Sequence, residues 1–157
     1  MWSSSGLKIT GKYGTWNGQE AELHSTAPVD GMLLLVKYGG QAPGPEWMTI
    51  DLGNRFPISG IRHALEVPVD EVSNIHAVTT TGELGSRGTV TILAEARDGR
   101  LAASANDLGL KEWLIMECGF HTYFDEPVTR SSAFGWLPAA LVSNIKSSVS
   151  WRKDNDS

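Results

Sequence analysis

The stretch Pro68-Val69-Asp70-Glu71-Val72-Ser73-Asn74-Ile75 returns as Pro138-Ala139-Ala140-Leu141-Val142-Ser143-Asn144-Ile145, with Pro, Val, Ser, Asn and Ile at the same spacing. Working outward, three further matches keep the same order. Thr10-Gly11-Lys12-Tyr13-Gly14-Thr15 matches Thr81-Gly82-Glu83-Leu84-Gly85-Ser86, and Asp30-Gly31-Met32-Leu33 matches Asp98-Gly99-Arg100-Leu101. Glu46-Trp47-Met48-Thr49-Ile50-Asp51-Leu52-Gly53 matches Glu112-Trp113-Leu114-Ile115-Met116-Glu117-Cys118-Gly119. Four matches offset by 66 to 71 residues are hard to assign to chance. They describe a tandem of two roughly 70-residue units, residues 1–79 and 80–157. Units that small bury too little surface to be robust alone, so the two are expected to pack as one folding unit.

Leading into and through the second unit, Ser73–Thr80 reads as a strand, Gly82 and Gly85 as a turn, and Thr89–Ala96 as a second strand. Asp98-Gly99 is a two-residue hairpin signal, because both positions tolerate positive φ, and Leu101–Ala105 is the returning strand. Asn106 or Asp107 can cap a helix over 107–118, with Leu110, Trp113, Leu114 and Glu117 at helical spacing and Gly119 as its left-handed end. The first unit repeats the order with Lys8–Tyr13, Gln19–Ser25, a turn at Asp30-Gly31 and Met32–Tyr38. The segment Glu46–Leu52 follows Gly44-Pro45 and reads either as one or two helical turns or as a strand. Each unit then has an apolar strand, Ile58–Val67 or Phe134–Leu137. The class is α+β, mainly antiparallel β, as two β-rich repeats in the manner of SH3-like half-barrels, each with a short helix. Residues shared by both repeats, Trp47 and Trp113 among them, are expected to serve the fold.

Composition excludes several functions. The 157 residues carry 13 Lys and Arg against 18 Asp and Glu, a net charge of −5, with no basic cluster. Nucleic-acid binders rely on a basic face, so nucleic acid and anionic membranes are not expected partners. The longest apolar run, Met32–Val36, is far short of a membrane span. The N-terminal residues lack the basic and apolar regions of a secretory signal, and the single cysteine, Cys118, forms no internal disulfide. The expected location is the cytoplasm.

No sequence pattern calls for chemistry. His24, His63, His76 and His121 have no metal-ligand spacing, and nucleophile elbows, phosphate loops and dinucleotide glycine fingerprints are missing. His76 aligns with Lys146, which predicts a solvent-facing position. Cys118 aligns with Leu52, which predicts a small buried hydrophobe. No cofactor, no metal and no enzymatic activity are expected. Two segments have no counterpart in the other repeat and are the candidate contact surfaces. One is Tyr38–Pro45, with Gly39, Gly40, Gln41 and Pro43. The other is Phe120–Trp136, with His121, Tyr123, Phe124, Asp125 and Glu126. Aromatic anchors beside acids suit a basic protein partner.

The run from Val67 to Ile145 resembles small, actinobacterial-type immunity proteins of bacterial polymorphic-toxin systems. The resemblance is carried by Val67-Pro68, Glu71-Val72, Ala77-Val78-Thr79-Thr80, the turn Gly82–Gly88 and Asp98-Gly99-Arg100-Leu101. It continues through a helix ending at Gly119-Phe120 to Leu137-Pro138 and Leu141-Val142. It covers about half of the chain, and the Gly/Pro insertion at Tyr38–Pro45 departs from it. It implies a cytoplasmic protein that binds a cognate toxin and occludes its active site, without identifying the toxin. Toxins that act on nucleic acid, NAD or nucleotide-like substrates often expose a basic cleft, which an acidic chain would suit. The competing expectations are a structural, adaptor or secretion-chaperone protein, and a small enzyme with an atypical site.

Overall fold

The structure is a computed structural model that describes residues 1–53, 55–58, 60–123 and 126–152. The described chain is mainly antiparallel β-sheet with a single α-helix. It divides into two compact units. Among the described residues, one is Gly11–Val78 together with 149–152; the other is Met1–Thr10 with Thr79–Ser148.

In the Gly11–Val78 unit, β1 (Gly11–Trp16), β2 (Gln19–Leu23), β3 (Met32–Tyr38), β4 (Met48–Asp51), β5 (Ile61–Pro68) and the first half of β6 (Ser73–Glu83) lie in the order β4-β5-β3-β2-β1-β6. Two tight turns set this register. Asn17-Gly18 (φ 51° and 74°) joins β1 to β2, and Asp30-Gly31 (φ 51° and 74°) leads into β3. Positive φ at both central residues gives a turn whose twist matches that of the strands. Val29 and Met32 close the second turn with reciprocal hydrogen bonds of 3.0 Å. The Asn17-Gly18 turn places the first strand at Gly11–Trp16 rather than at the expected Lys8–Tyr13.

Alternation along β3 sends Leu33 and Leu35 into a core with Leu23, Val67, Val72 and Ile75. Burying an aliphatic side chain of this size stabilises by about 1.5–3 kcal/mol. The expected short helix of this unit is not found among its described residues. Met48–Asp51 instead pairs with Ala64–Ile61. Thr49 and Ile50 are β-branched, and β5 offers a free edge, so a ladder wins over an isolated helical turn.

The other unit holds the second half of β6 with β7 (Thr89–Glu95), β8 (Leu101–Ala105), β9 (Ala133–Leu137) and the first part of β10 (Ser143–Trp151). Gly82 is not a turn residue. β6 runs on to Glu83, and the turn is Leu84–Gly88, closed by Leu84 N–H to Gly88 O at 2.9 Å. The helix α1 (Leu108–Cys118) connects β8 to β9. The Asp107 carboxylate accepts from Leu110 N–H at 3.0 Å, and Gly119 (φ 71°) ends the helix with Phe120 N–H returning to Leu114 O at 3.2 Å. Asp107→Ala is expected to cost about 1 kcal/mol, read as a lower urea midpoint. The core comprises Val90, Ile92, Leu101, Leu110, Leu114, Phe120 and Leu137, with Trp113 and Cys118 packed at its margin.

The two Pro-to-Asn segments share one backbone path. Pro68 (φ −59°, ψ 138°) precedes a 3-10 turn at Val69–Glu71, then Val72 (−109°, 126°) and Asn74 (φ 53°). Pro138 (−59°, 135°) precedes Ala139–Leu141, then Val142 (−109°, 126°) and Asn144 (φ 51°). Each valine then presses on a strand glycine. A Cβ at Gly14 would lie 2.7 Å from Val72 Cγ1, and one at Gly82 would meet Val142 Cγ1 at least as closely.

Candidate functional site

The segment after α1 is held by β9. His121 and Phe134 exchange backbone hydrogen bonds of 3.1 and 3.0 Å. The exchange places the His121 ring 4.5 Å from the Phe134 ring, edge to face, and the Tyr123 ring centroid lies 4.2 Å from Phe134. Phe134 is 4% exposed, whereas Tyr123 is 53% exposed. The result is a surface pair of aromatics seated on a buried ring, a geometry that fixes rotamers before any partner arrives. Glu126 N–H donates to Tyr123 O at 2.9 Å, and Thr122 Oγ1 donates to Glu126 O at 2.6 Å, so the exposed Glu126 stands beside this pair. Phe124 and Asp125, also expected in this group, lie outside the described residues.

Two neighbours that sequence reasoning missed support the segment. Lys111, on α1, is buried, and its ammonium donates to Val128 O and to Ser131 O. It ties the 127–131 turn to the helix. A lysine beside Leu110 reads locally as surface, so no sequence signal marks it. Phe120 lies against Gly135, where a Cβ would come within 2.5 Å of Phe120 Cδ1. Two residues beyond Phe134 along β9, on the same face, the Arg100 guanidinium lies 5.1 Å from the Trp136 ring and 2.8 Å from Asp98. The Arg100 backbone N–H, then its guanidinium, holds the Asp98 carboxyl below its usual range.

The other expected segment belongs to the Gly11–Val78 unit. Gly39 (φ 73°) and Gly40 (φ 66°) take left-handed conformations that favour glycine. Gly39 N–H donates to Ile61 O at 2.8 Å, and Lys37 Nζ donates to Gln41 O at 2.9 Å. Beneath the loop His63 is 4% exposed; its Nε2 lies 2.9 Å from Gly40 O and its Nδ1 2.8 Å from Thr49 Oγ1. The carbonyl can only accept, so Nε2 donates to it, while Nδ1 and the threonine hydroxyl share the second hydrogen bond. His63 is thus a satisfied buried strut for the loop, which leaves Gly40, Gln41 and Pro43 exposed. Next to it, burial pushes the Tyr38 phenol up, Glu22 adds to the effect and Arg62 opposes it.

His76 corrects an expectation. It is 2% exposed rather than solvent-facing, stacked at 5.7 Å on Tyr13 and tilted at 4.5 Å against Trp151, with Nδ1 2.6 Å from Asn74 O. Cys118 is partly buried; desolvation raises its thiol pKa, Glu117 adds to this, and Arg87 works against it. Among the described residues, no three His, Cys, Asp or Glu side chains gather as a metal site, and no helix is long and apolar enough to cross a membrane.

Charge is uneven along the chain. Residues 11–78 hold eight Asp and Glu against four Lys and Arg, while residues 1–10 and 79–148 together hold eight against seven. One unit thus presents an exposed aromatic pair, and the other carries an acidic excess. Comparison with protein-family models, curated proteins and solved structures finds no match to this chain.

Proposed function

We propose that this chain is a non-catalytic immunity protein of the cytoplasm that neutralises a cognate bacterial toxin by binding over its active site. The observation that carries the proposal is the exposed Tyr123 and His121 pair, packed on buried Phe134 beside Glu126. Tyrosines held rigidly at a surface are the residue type that dominates binding energy, and a neighbouring carboxylate favours a basic partner. A toxin cleft built for a nucleotide or nucleic acid supplies that basic surface.

The same proposal includes a tandem of two SH3-like half-barrels. Supporting it, one unit orders its strands β6-β1-β2-β3-β5, with a 3-10 turn before β6. The other orders them β10-β6-β7-β8-β9, with a 3-10 turn before β10. In both, the long insertion falls between the third and fourth strands: residues 39–60, with β4, and residues 106–132, with α1. Both candidate contact segments belong to these insertions, where a barrel can vary its loops at little cost to its core.

The test is co-expression with the toxin encoded beside this gene. The wild-type chain is expected to rescue growth and to co-purify with the toxin. Tyr123→Ala is expected to weaken binding by at least about tenfold, the scale of a hot-spot residue. A chain that neither binds nor rescues, or a Tyr123→Ala/His121→Ala variant that inhibits at wild-type potency, overturns the proposal. A stable homo-oligomer without toxin inhibition would favour an adaptor instead.

A further inference from the structure

The acidic excess of the Gly11–Val78 unit has a shaped counterpart on its surface. A recess of about 280 Å³ opens where the β2–β3 connection meets β3 and β5, with His24, Val29, Asp30, Met32, Leu34 and Glu66 among its walls. Its frame is hydrogen-bonded on three sides. Val29 and Met32 close the Asp30-Gly31 turn, Val69 N–H donates to Gly31 O at 2.9 Å, and His24 N–H donates to Leu34 O at 2.9 Å. Leu34 lies opposite Glu66 in the β3–β5 ladder. Among the described residues, neither the Asp30 nor the Glu66 carboxylate has a hydrogen-bond or ion-pair partner.

The recess is slightly smaller than the pockets that take drug-sized ligands, which start at about 300 Å³, and it suits a single side chain. Its lining combines apolar Val29, Met32 and Leu34 with the acidic residues Asp30 and Glu66, beside His24 and Ser25. Lysine and arginine carry a long aliphatic stem and a terminal cation, and they bury the stem while keeping the head polar.

We propose that this recess receives a lysine or arginine side chain of the protein partner, its stem on Met32 and Leu34 and its cation between Asp30 and Glu66. The inference rests on the reading that the partner presents a basic surface. It adds a second contact that the sequence did not single out, in the unit carrying the acidic excess. Eight acids against four bases in residues 11–78 also attract a basic protein before contact.

The experiment is a titration of the full chain, followed by amide NMR shifts, with blocked Gly-Arg-Gly, Gly-Lys-Gly and Gly-norleucine-Gly peptides. The arginine and lysine peptides are expected to give saturable shifts at Val29, Asp30, Met32, Leu34 and Glu66, and the norleucine peptide none. Glu66→Gln and Asp30→Asn alter exposed side chains, so folding is expected to persist, checked in the same spectra. Each is expected to weaken the cationic peptides about threefold, as for an exposed ion pair. Shifts elsewhere, equal shifts from norleucine, or variants that bind as wild type overturn the inference. Rescue by toxin co-expression is a separate readout: a chain that binds the cationic peptides here but fails to rescue sinks the immunity function and leaves the recess standing.

Discussion

Gly82→Ala is expected to destabilise the chain by about 1–3 kcal/mol, the cost of overpacking a filled core. The residue sits inside β6, where φ is not left-handed, so alanine meets no backbone penalty. In an open strand position the change would be neutral or mildly favourable, because glycine loses more chain entropy on ordering. What decides the sign is the new methyl. It would be driven into Val142 Cγ1, with Ile145 Cγ1 at 3.5 Å and Ile92 Cδ1 at 3.6 Å closing the remaining space. Val142→Ala alone is expected to destabilise by leaving a void, and in combination the two losses should partly cancel. Urea midpoints of the four chains measure this directly. A Gly82→Ala chain as stable as wild type, or strictly additive losses, would show that the valine does not rest on the glycine. Gly14→Ala faces Val72 Cγ1 at 2.7 Å and also Ser73 O at 3.3 Å. Backbone yields less than a methyl, so Val72→Ala should rescue it less completely.

That contact also explains why part of the fold was illegible in sequence. Gly82 and Gly85 read as a turn because glycine inside an apolar pattern usually marks one. The reason for Gly82 lies 60 residues away at Val142, and no local window contains it. Where the determinants are local, reading succeeds. Met32–Tyr38 and Leu101–Ala105 run as expected because Asp-Gly and the apolar residues that follow specify them within a few positions. At Asp98-Gly99, however, only the glycine takes a positive φ (89°), and Ala96 and Arg100 close a three-residue loop in place of the expected two-residue turn. The helix follows from Asp107 and Gly119, both visible as caps. Glu46–Leu52 was ambiguous because its conformation depends on whether the β5 edge is available, which is a tertiary fact. His76 looks solvent-facing in sequence for the same reason: the rings against it, Tyr13 and Trp151, lie 63 residues before it and 75 after it.

The candidate site divides along the same line. The segment His121–Glu126 was legible by difference, since one half of the chain has it and the other does not. Its geometry was not. Phe134 reads simply as a buried strand residue, and it is buried, but it also forms the floor under His121 and Tyr123. The Gly39–Pro43 loop was found in the same way, while His63, which holds it, looked like an ordinary histidine. Supports of this kind are single side chains reaching across sheet or helix, with no period and no motif.

Lys111 is the clearest such support, and Lys111→Met is expected to cost about 1–3 kcal/mol through two carbonyls left without donors. The lysine is 5% exposed, and its ammonium bridges Val128 O and Ser131 O. Methionine keeps the unbranched stem and the helix propensity, so packing and α1 itself are preserved. Two effects then compete. Removing a buried cation relieves its desolvation, which alone would stabilise. In place, however, the cation is already compensated by two carbonyl dipoles, and those dipoles remain after the substitution. The orphaned acceptors win unless the 127–131 turn opens to water. Opening would satisfy them and release the chain that follows Glu126. Amide exchange at residues 128–131 is therefore expected to accelerate in Lys111→Met, along with a lower urea midpoint. Tyr123 would lose part of its fixed placement, so binding of the proposed toxin partner should weaken although Lys111 is itself buried. A variant with unchanged midpoint and unchanged protection over 128–131 would show that the ammonium does not anchor the turn.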